Sequence, residues 1–131
     1  MLLTKEEYQA IRKTPGYVYY LIIIKENSSL TLLDVKQAVE QAFQNKLPEN
    51  WTKIHGRQEW ICKPRQIAQY FAFRFTPEKP KAIADYFGRN HRSVVYASAR
   101  LVEDRILQNT KDKYYPIIKR IFSALNNLNN E

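Results

Sequence analysis

Cysteine occurs once in this chain, at Cys62, which excludes an internal disulfide. Histidine occurs twice, at His55 and His91, and two isolated imidazoles with one thiol make no metal site. Glycine is nearly as scarce. Gly16, Gly56 and Gly88 are the only ones, and none lies in a loop patterned to cradle a nucleotide phosphate. No Ser-His-Asp or Cys-His order stands out, nor do paired carboxylates placed to activate a water. The expected function is therefore non-enzymatic, without cofactor or metal. The longest apolar run, Tyr17 to Ile24, has eight residues, far short of the roughly 20 that a membrane-spanning helix needs. The opening Met1-Leu2-Leu3-Thr4-Lys5-Glu6-Glu7 lacks the layout of a secretion signal, so a cytoplasmic location is expected.

What the chain does have is positive charge, unevenly placed. Its 131 residues, 44% hydrophobic and 26% charged, are enough for one modest core. The net charge is +8. Residues 1–50 hold six Lys or Arg against six Asp or Glu, and residues 101–131 hold five against four. Residues 51–100 hold ten against three. A surface that is merely soluble would spread its charge more evenly. This concentration points to a polyanionic partner of the middle segment.

Apolar spacing and breakers predict an all-α chain. Thr4-x-x-Glu7 opens a short helix to about Lys13, broken by Thr14-Pro15-Gly16. Tyr17–Ile24 has strand-like propensity but no partner strand, and is expected as a buried helix. It doubles as a candidate surface for a homodimer or another protein. Thr31-x-x-Asp34 caps a helix to about Asn45, with Leu32, Val35, Val39, Ala42 and Phe43 on its inner face. After a long connection, helices are expected at about Pro64–Phe75, Pro80–Phe87 and His91–Leu107. The third should bury Val94, Val95, Ala97, Leu101, Val102 and Ile106. A last helix, Lys113 to Leu125, buries Ile117, Ile118, Ile121, Phe122 and Leu125. Residues 1–30 are thus an N-terminal extension, 31–126 the domain, and 127–131 a fraying tail.

The pair of helices around Gly88 has the plan of a helix-turn-helix DNA reader, its second helix beginning in a basic segment. Asn90 suits an N-cap, and His91, Arg92 and Ser93 follow where such helices meet base edges. Arg92, Tyr96 and Arg100 recur every four residues as one outward stripe. Lys63, Lys79 and Lys81 add attraction for phosphate. Trp60 and Cys62 are read as core or partly covered residues.

Pro64-Arg65-Gln66-Ile67-Ala68 and the later Phe87-Gly88-Arg89-Asn90-His91-Arg92-Ser93-Val94 resemble the C-terminal DNA-binding domain of the bacterial replication initiator DnaA. That family carries a Pro-Arg-Gln-hydrophobic-Ala helix and a Phe-Gly-Gly-Arg-Asp-His-Thr-Thr-Val signature. Here one glycine is absent, Asn90 replaces the Asp, and Arg92-Ser93 replace the two Thr. The resemblance covers roughly residues 32 to 125, without the initiator's ATPase module. It implies a domain that reads double-stranded DNA at an initiator-box-like site, associated with the nucleoid. It implies base contacts by His91 and its neighbours, a minor-groove role for Arg57, and phosphate contacts by Arg65 and Gln66. Arg89 matches the signature arginine. Asn90 suits adenine where the family's Asp suits cytosine, and Arg92 exchanges a thymine-methyl contact for a guanine or phosphate donor. The preferred site should therefore differ from the usual box. A dimeric transcriptional repressor and a protein-interaction module on the same scaffold are the competing readings.

Overall fold

In the computed structural model, residues 28–129 are described. The helix expected over Thr4–Lys13, the run Tyr17–Ile24 and the dimer surface assigned to it lie outside those residues. The described chain is a single all-helical domain with no strand. Its helices are α1 (Leu32–Ala42), α2 (Glu59–Phe75), α3 (Pro80–Tyr86), α4 (Ser93–Leu101) and α5 (Tyr115–Asn129), and one π-helical turn, Val102–Ile106, continues α4.

α1 begins as its sequence dictates. Thr31 Oγ1 accepts from the Asp34 amide at 3.1 Å, and Asp34 Oδ2 accepts from the Thr31 amide at 2.9 Å. Val35, Val39 and Ala42 are buried as the spacing predicts, joined by Ala38, while Leu32 and Phe43 are partly covered. The helix stops at Ala42, earlier than Asn45, because Gln44 and Asn45 turn left-handed at φ 59° and 57°. Their amides return to the Gln41 and Glu40 carbonyls.

α2 is the central helix. Six consecutive residues, Ile67 to Ala72, are buried, which happens only when a helix is packed on all sides. It lies against α1, α3 and α4, while α1 also packs on α5. Phe71 and Phe75 meet Phe122 of α5 edge-on, with ring centroids 4.9 and 5.4 Å apart. α2 starts at Glu59, five residues before the expected Pro64, with Gln58 at its cap. Proline favours a first helical position, but it is tolerated here one turn in, where it forgoes a bond to the Trp60 carbonyl. This early start carries Trp60 to the surface at 56% exposure, correcting the expectation that it is core or partly covered; Trp51, at 3%, is the core tryptophan.

α3 ends at Gly88, whose φ of +69° places it in the left-handed region. Its amide donates to Asp85 O at 3.1 Å and the Arg89 amide to Ala84 O at 2.8 Å, the paired bonds of a Schellman ending. One glycine suffices for that geometry, so the turn closes without the second. Lys53 Nζ adds donations to Asp85 O and Tyr86 O, at 3.2 and 2.7 Å, where the helix end attracts a cation. Gly88→Ala should lose roughly 1–2 kcal/mol of stability, since a Cβ is disfavoured at that φ and would meet Lys53 Cδ at 3.2 Å. Gln44→Gly, relieving the same strain, should stabilise; denaturant midpoints of the two variants check the opposite signs.

α4 starts at Ser93, later than His91, with Arg92 as its N-cap and no side chain capping it. Asn90 is therefore not the cap. It lies in the connecting turn, where its carbonyl accepts from Lys81 Nζ at 3.2 Å. α4 buries Val95, Ser98, Ala99, Val102 and Ile106. Ala97 is exposed, and Val94 and Leu101 are only partly covered, so the inner face is rotated from the expected one. The Leu107 amide reaches back five residues to Val102 O at 2.8 Å, and the widened turn brings Glu103 inside. α5 buries Ile118, Ile121, Phe122 and Leu125, with Ile117 at the margin. It runs on to Asn129, so residues 127–129 are helical.

Candidate nucleic-acid interface

The basic segment folds into two neighbouring concavities and one loop. Lys81 of α3, Asn90, His91, Arg92 and Ser93 line the first, an open hollow of about 500 Å³. Lys81 Nζ is also 2.9 Å from Asp85 Oδ1, an exposed pair that leaves the ammonium facing solvent. Asn90 to Ser93 are all exposed. The start of α4 has no side-chain cap; the Val94 and Val95 amides donate to the His91 and Arg92 carbonyls instead.

From the hollow, the outer face of α4 carries Arg92, Tyr96 and Arg100, all exposed as the four-residue spacing predicts. Tyr96 is held sideways by Phe73, its ring edge-on at a centroid distance of 5.3 Å. It is therefore a ring fixed in place between two arginines, which limits the conformational freedom that a contact would have to freeze.

The second concavity, about 670 Å³, lies between α2 and α4. Arg65, Gln66, Arg89, Arg100 and Arg105 are among its walls, with Asp104 its only acid. Gln66 Oε1, Gln69 Nε2 and Arg89 Nε are buried there without hydrogen-bond partners, an arrangement that native interiors rarely leave unfilled.

Arg65 and Arg89 are less available than their sequence positions suggest. Arg65 is 8% exposed. Its Nη1 donates to Ile54 O at 2.9 Å, and Nη2 approaches Cys62 Sγ at 3.8 Å. Arg89 Nη2 donates to the same Ile54 carbonyl at 2.9 Å, and Nη1 to His55 Nδ1 at 2.8 Å. Burial, and secondarily the Arg65 charge, hold the Arg89 guanidinium below its ordinary pKa. Arg57, two residues past His55, is exposed and makes no hydrogen bond or ion pair among the described residues.

Thus the fold gathers Lys81 with Asn90–Ser93, aligns Arg92 with Tyr96 and Arg100, and turns Arg65 and much of Arg89 toward the protein. Lys53, His55, Gln69 and Arg105 were not singled out by sequence. Only their charge or polarity marked them, and their roles depend on partners distant in the chain. No group of residues suited to hold a metal ion occurs among the described residues. No helix there is long and apolar enough to cross a membrane.

A small helical domain with a basic turn between two helices thus defines the class. The chain is similar to part of the chromosomal replication initiator protein DnaA. It is 27% identical to that of Deinococcus deserti over 82 residues, covering 63% of this chain and 18% of the relative. The Herminiimonas arsenicoxydans protein is 30% identical over 81 residues, covering 61% and 17%. That of Desulfatibacillum aliphaticivorans is 26% identical over 96 residues, covering 73% and 20%. The chain therefore spans about a fifth of the length of the curated relatives it matches. No family model matches it, and neither does any solved structure.

Proposed function

We propose that this protein is a sequence-specific double-stranded DNA-binding protein, acting without catalysis, that reads an initiator-box-like site. The unit α3–turn–α4 is its helix-turn-helix reader, with α4 entering the major groove. His91, Arg92 and Ser93 face base edges there, and Asn90 lies beside them. Lys81, Arg100 and the α4 terminus contact phosphates, while Arg57 enters the adjacent minor groove. Biologically it is a replication accessory or regulator working in the cytoplasm at the nucleoid.

The observation that carries this reading is the convergence of Lys81, Asn90, His91, Arg92 and Ser93 on one exposed hollow. These are the residues of the segment that holds nearly all the excess charge. The similarity to initiator relatives supports it. The test is selection of random double-stranded DNA by the pure protein at physiological salt, followed by sequencing. An enriched motif is expected, related to but distinct from the relatives' box because of Asn90 and Arg92. A palindromic motif would favour a dimeric repressor. Binding that ignores sequence and vanishes at moderate salt would overturn the reading and leave a protein-interaction module.

A further inference from the structure

The loop that carries Arg57 is held in an unusual way. Residues 54–57 make no backbone–backbone hydrogen bond among the described residues. Side chains of two separate elements hold them. From α2, Cys62 Sγ lies 2.9 Å from Gly56 O and Arg65 Nη1 lies 2.9 Å from Ile54 O. From the turn ahead of α4, Arg89 binds both Ile54 O and His55 Nδ1.

The α2 tethers are local, since Cys62 and Arg65 follow the loop by 6 and 11 residues. Arg89 is different: it spans 34 residues to His55 and joins the loop directly to the segment leading into α4. A guanidinium only donates, so His55 Nδ1 is the acceptor in this contact. Two guanidiniums converging on one carbonyl repel each other, and burial makes that repulsion dearer. Packing alone gives no reason for such an arrangement.

We propose that His55 and Arg89 are positioning residues that latch the Arg57 loop to the turn preceding α4, fixing the distance between Arg57 and the Asn90–Ser93 reader. This rests on the DNA reading above. A duplex presents its minor and major grooves at a set spacing. A free loop would have to be ordered on binding, at an entropic cost that the latch removes in advance. Arg89 thus acts through Arg57 and not by touching a base itself.

The test is a double-mutant cycle on affinity for the selected duplex, with NMR order parameters of the free protein's backbone alongside. His55→Ala and Arg89→Gln should each weaken binding roughly threefold to tenfold when Arg57 is present. In an Arg57→Ala background they should add almost nothing. In the free protein, both should lower the backbone order parameters of residues 54–57 while leaving those of α4 unchanged. His55 is exposed, so its variant separates the latch from any folding defect of Arg89→Gln. Additive losses, or unchanged loop order parameters, would overturn the latch on a protein that still selects a motif. Loss of sequence preference by the unaltered protein would overturn the DNA reading, and the latch with it.

Discussion

Arg74→Ala is expected to lower the unfolding free energy by roughly 3–5 kcal/mol in alkaline solution, where Glu103 is ionised, the usual consequence of stripping one partner from a buried ion pair. That is a large share of the roughly 5–15 kcal/mol that holds a domain folded. Arg74 donates to both oxygens of Glu103, Nε to Oε2 at 3.0 Å and Nη2 to Oε1 at 2.8 Å. The two side chains are only 20% and 6% exposed. Arg74 also lies 4.8 Å from the Phe73 ring, so the stem and the charge are held together. Burial, with Asp104 adding to it, pushes the Glu103 carboxyl up to about 8, while the Arg74 fork pulls toward the ionised form. Removing the fork takes that pull away.

The sign of the pH dependence follows. An acid whose folded pKa is raised contributes stability below its unfolded value of 4.5 and loses it as pH climbs through about 8. The Arg74→Ala defect should therefore be small in acid and neutral solution, where Glu103 is largely protonated with or without Arg74, and grow as pH climbs past about 8. Denaturant titrations across that range check it, with Arg74→Met/Glu103→Leu as the paired control. A defect independent of pH would show that Glu103 does not carry the charge that Arg74 compensates.

Arg92→Ala should weaken binding to the selected duplex by roughly 1–3 kcal/mol and relax the preference at a particular base pair. Arg92 is exposed at the start of α4, on the rim shared by Asn90, His91 and Ser93. Lys81→Ala should behave differently. Its exposed ammonium beside Asp85 has the proposed role of a phosphate donor, so its loss should weaken all duplexes alike and flatten the salt dependence. Titrations against specific and random duplexes at several salt concentrations separate the two. Identical behaviour of both variants on both duplexes would sink the assignment of Arg92 to base reading.

Much of this protein was legible in one dimension because its cues are local. Thr31-x-x-Asp34 places a capping box that needs only four residues to form. Pro80 and Gly88 bracket α3, since proline and glycine act on their own backbone angles. The outward stripe of Arg92, Tyr96 and Arg100 follows from helical periodicity once α4 is placed. Other features resisted. The start of α2 at Glu59 leaves no cap signature, and its Lys113 partner, 2.6 Å from Glu59, lies 54 residues away. The π turn is invisible to a period of 3.6, so nothing in the spacing signals that Glu103 turns inward.

By itself, the sequence determined the all-helical class, the concentration of charge in residues 51–100, and the pairing of a glycine-ended short helix with a basic successor. Each depends on composition or on neighbours within a turn. Only the tertiary structure decided the fate of the arginines outside that stripe. Arg57 is exposed, Arg65 is buried against Ile54, and Arg89 is tied to His55 and Ile54. A guanidinium reads the same in every sequence. Its role is set by the acceptors that the fold brings within reach.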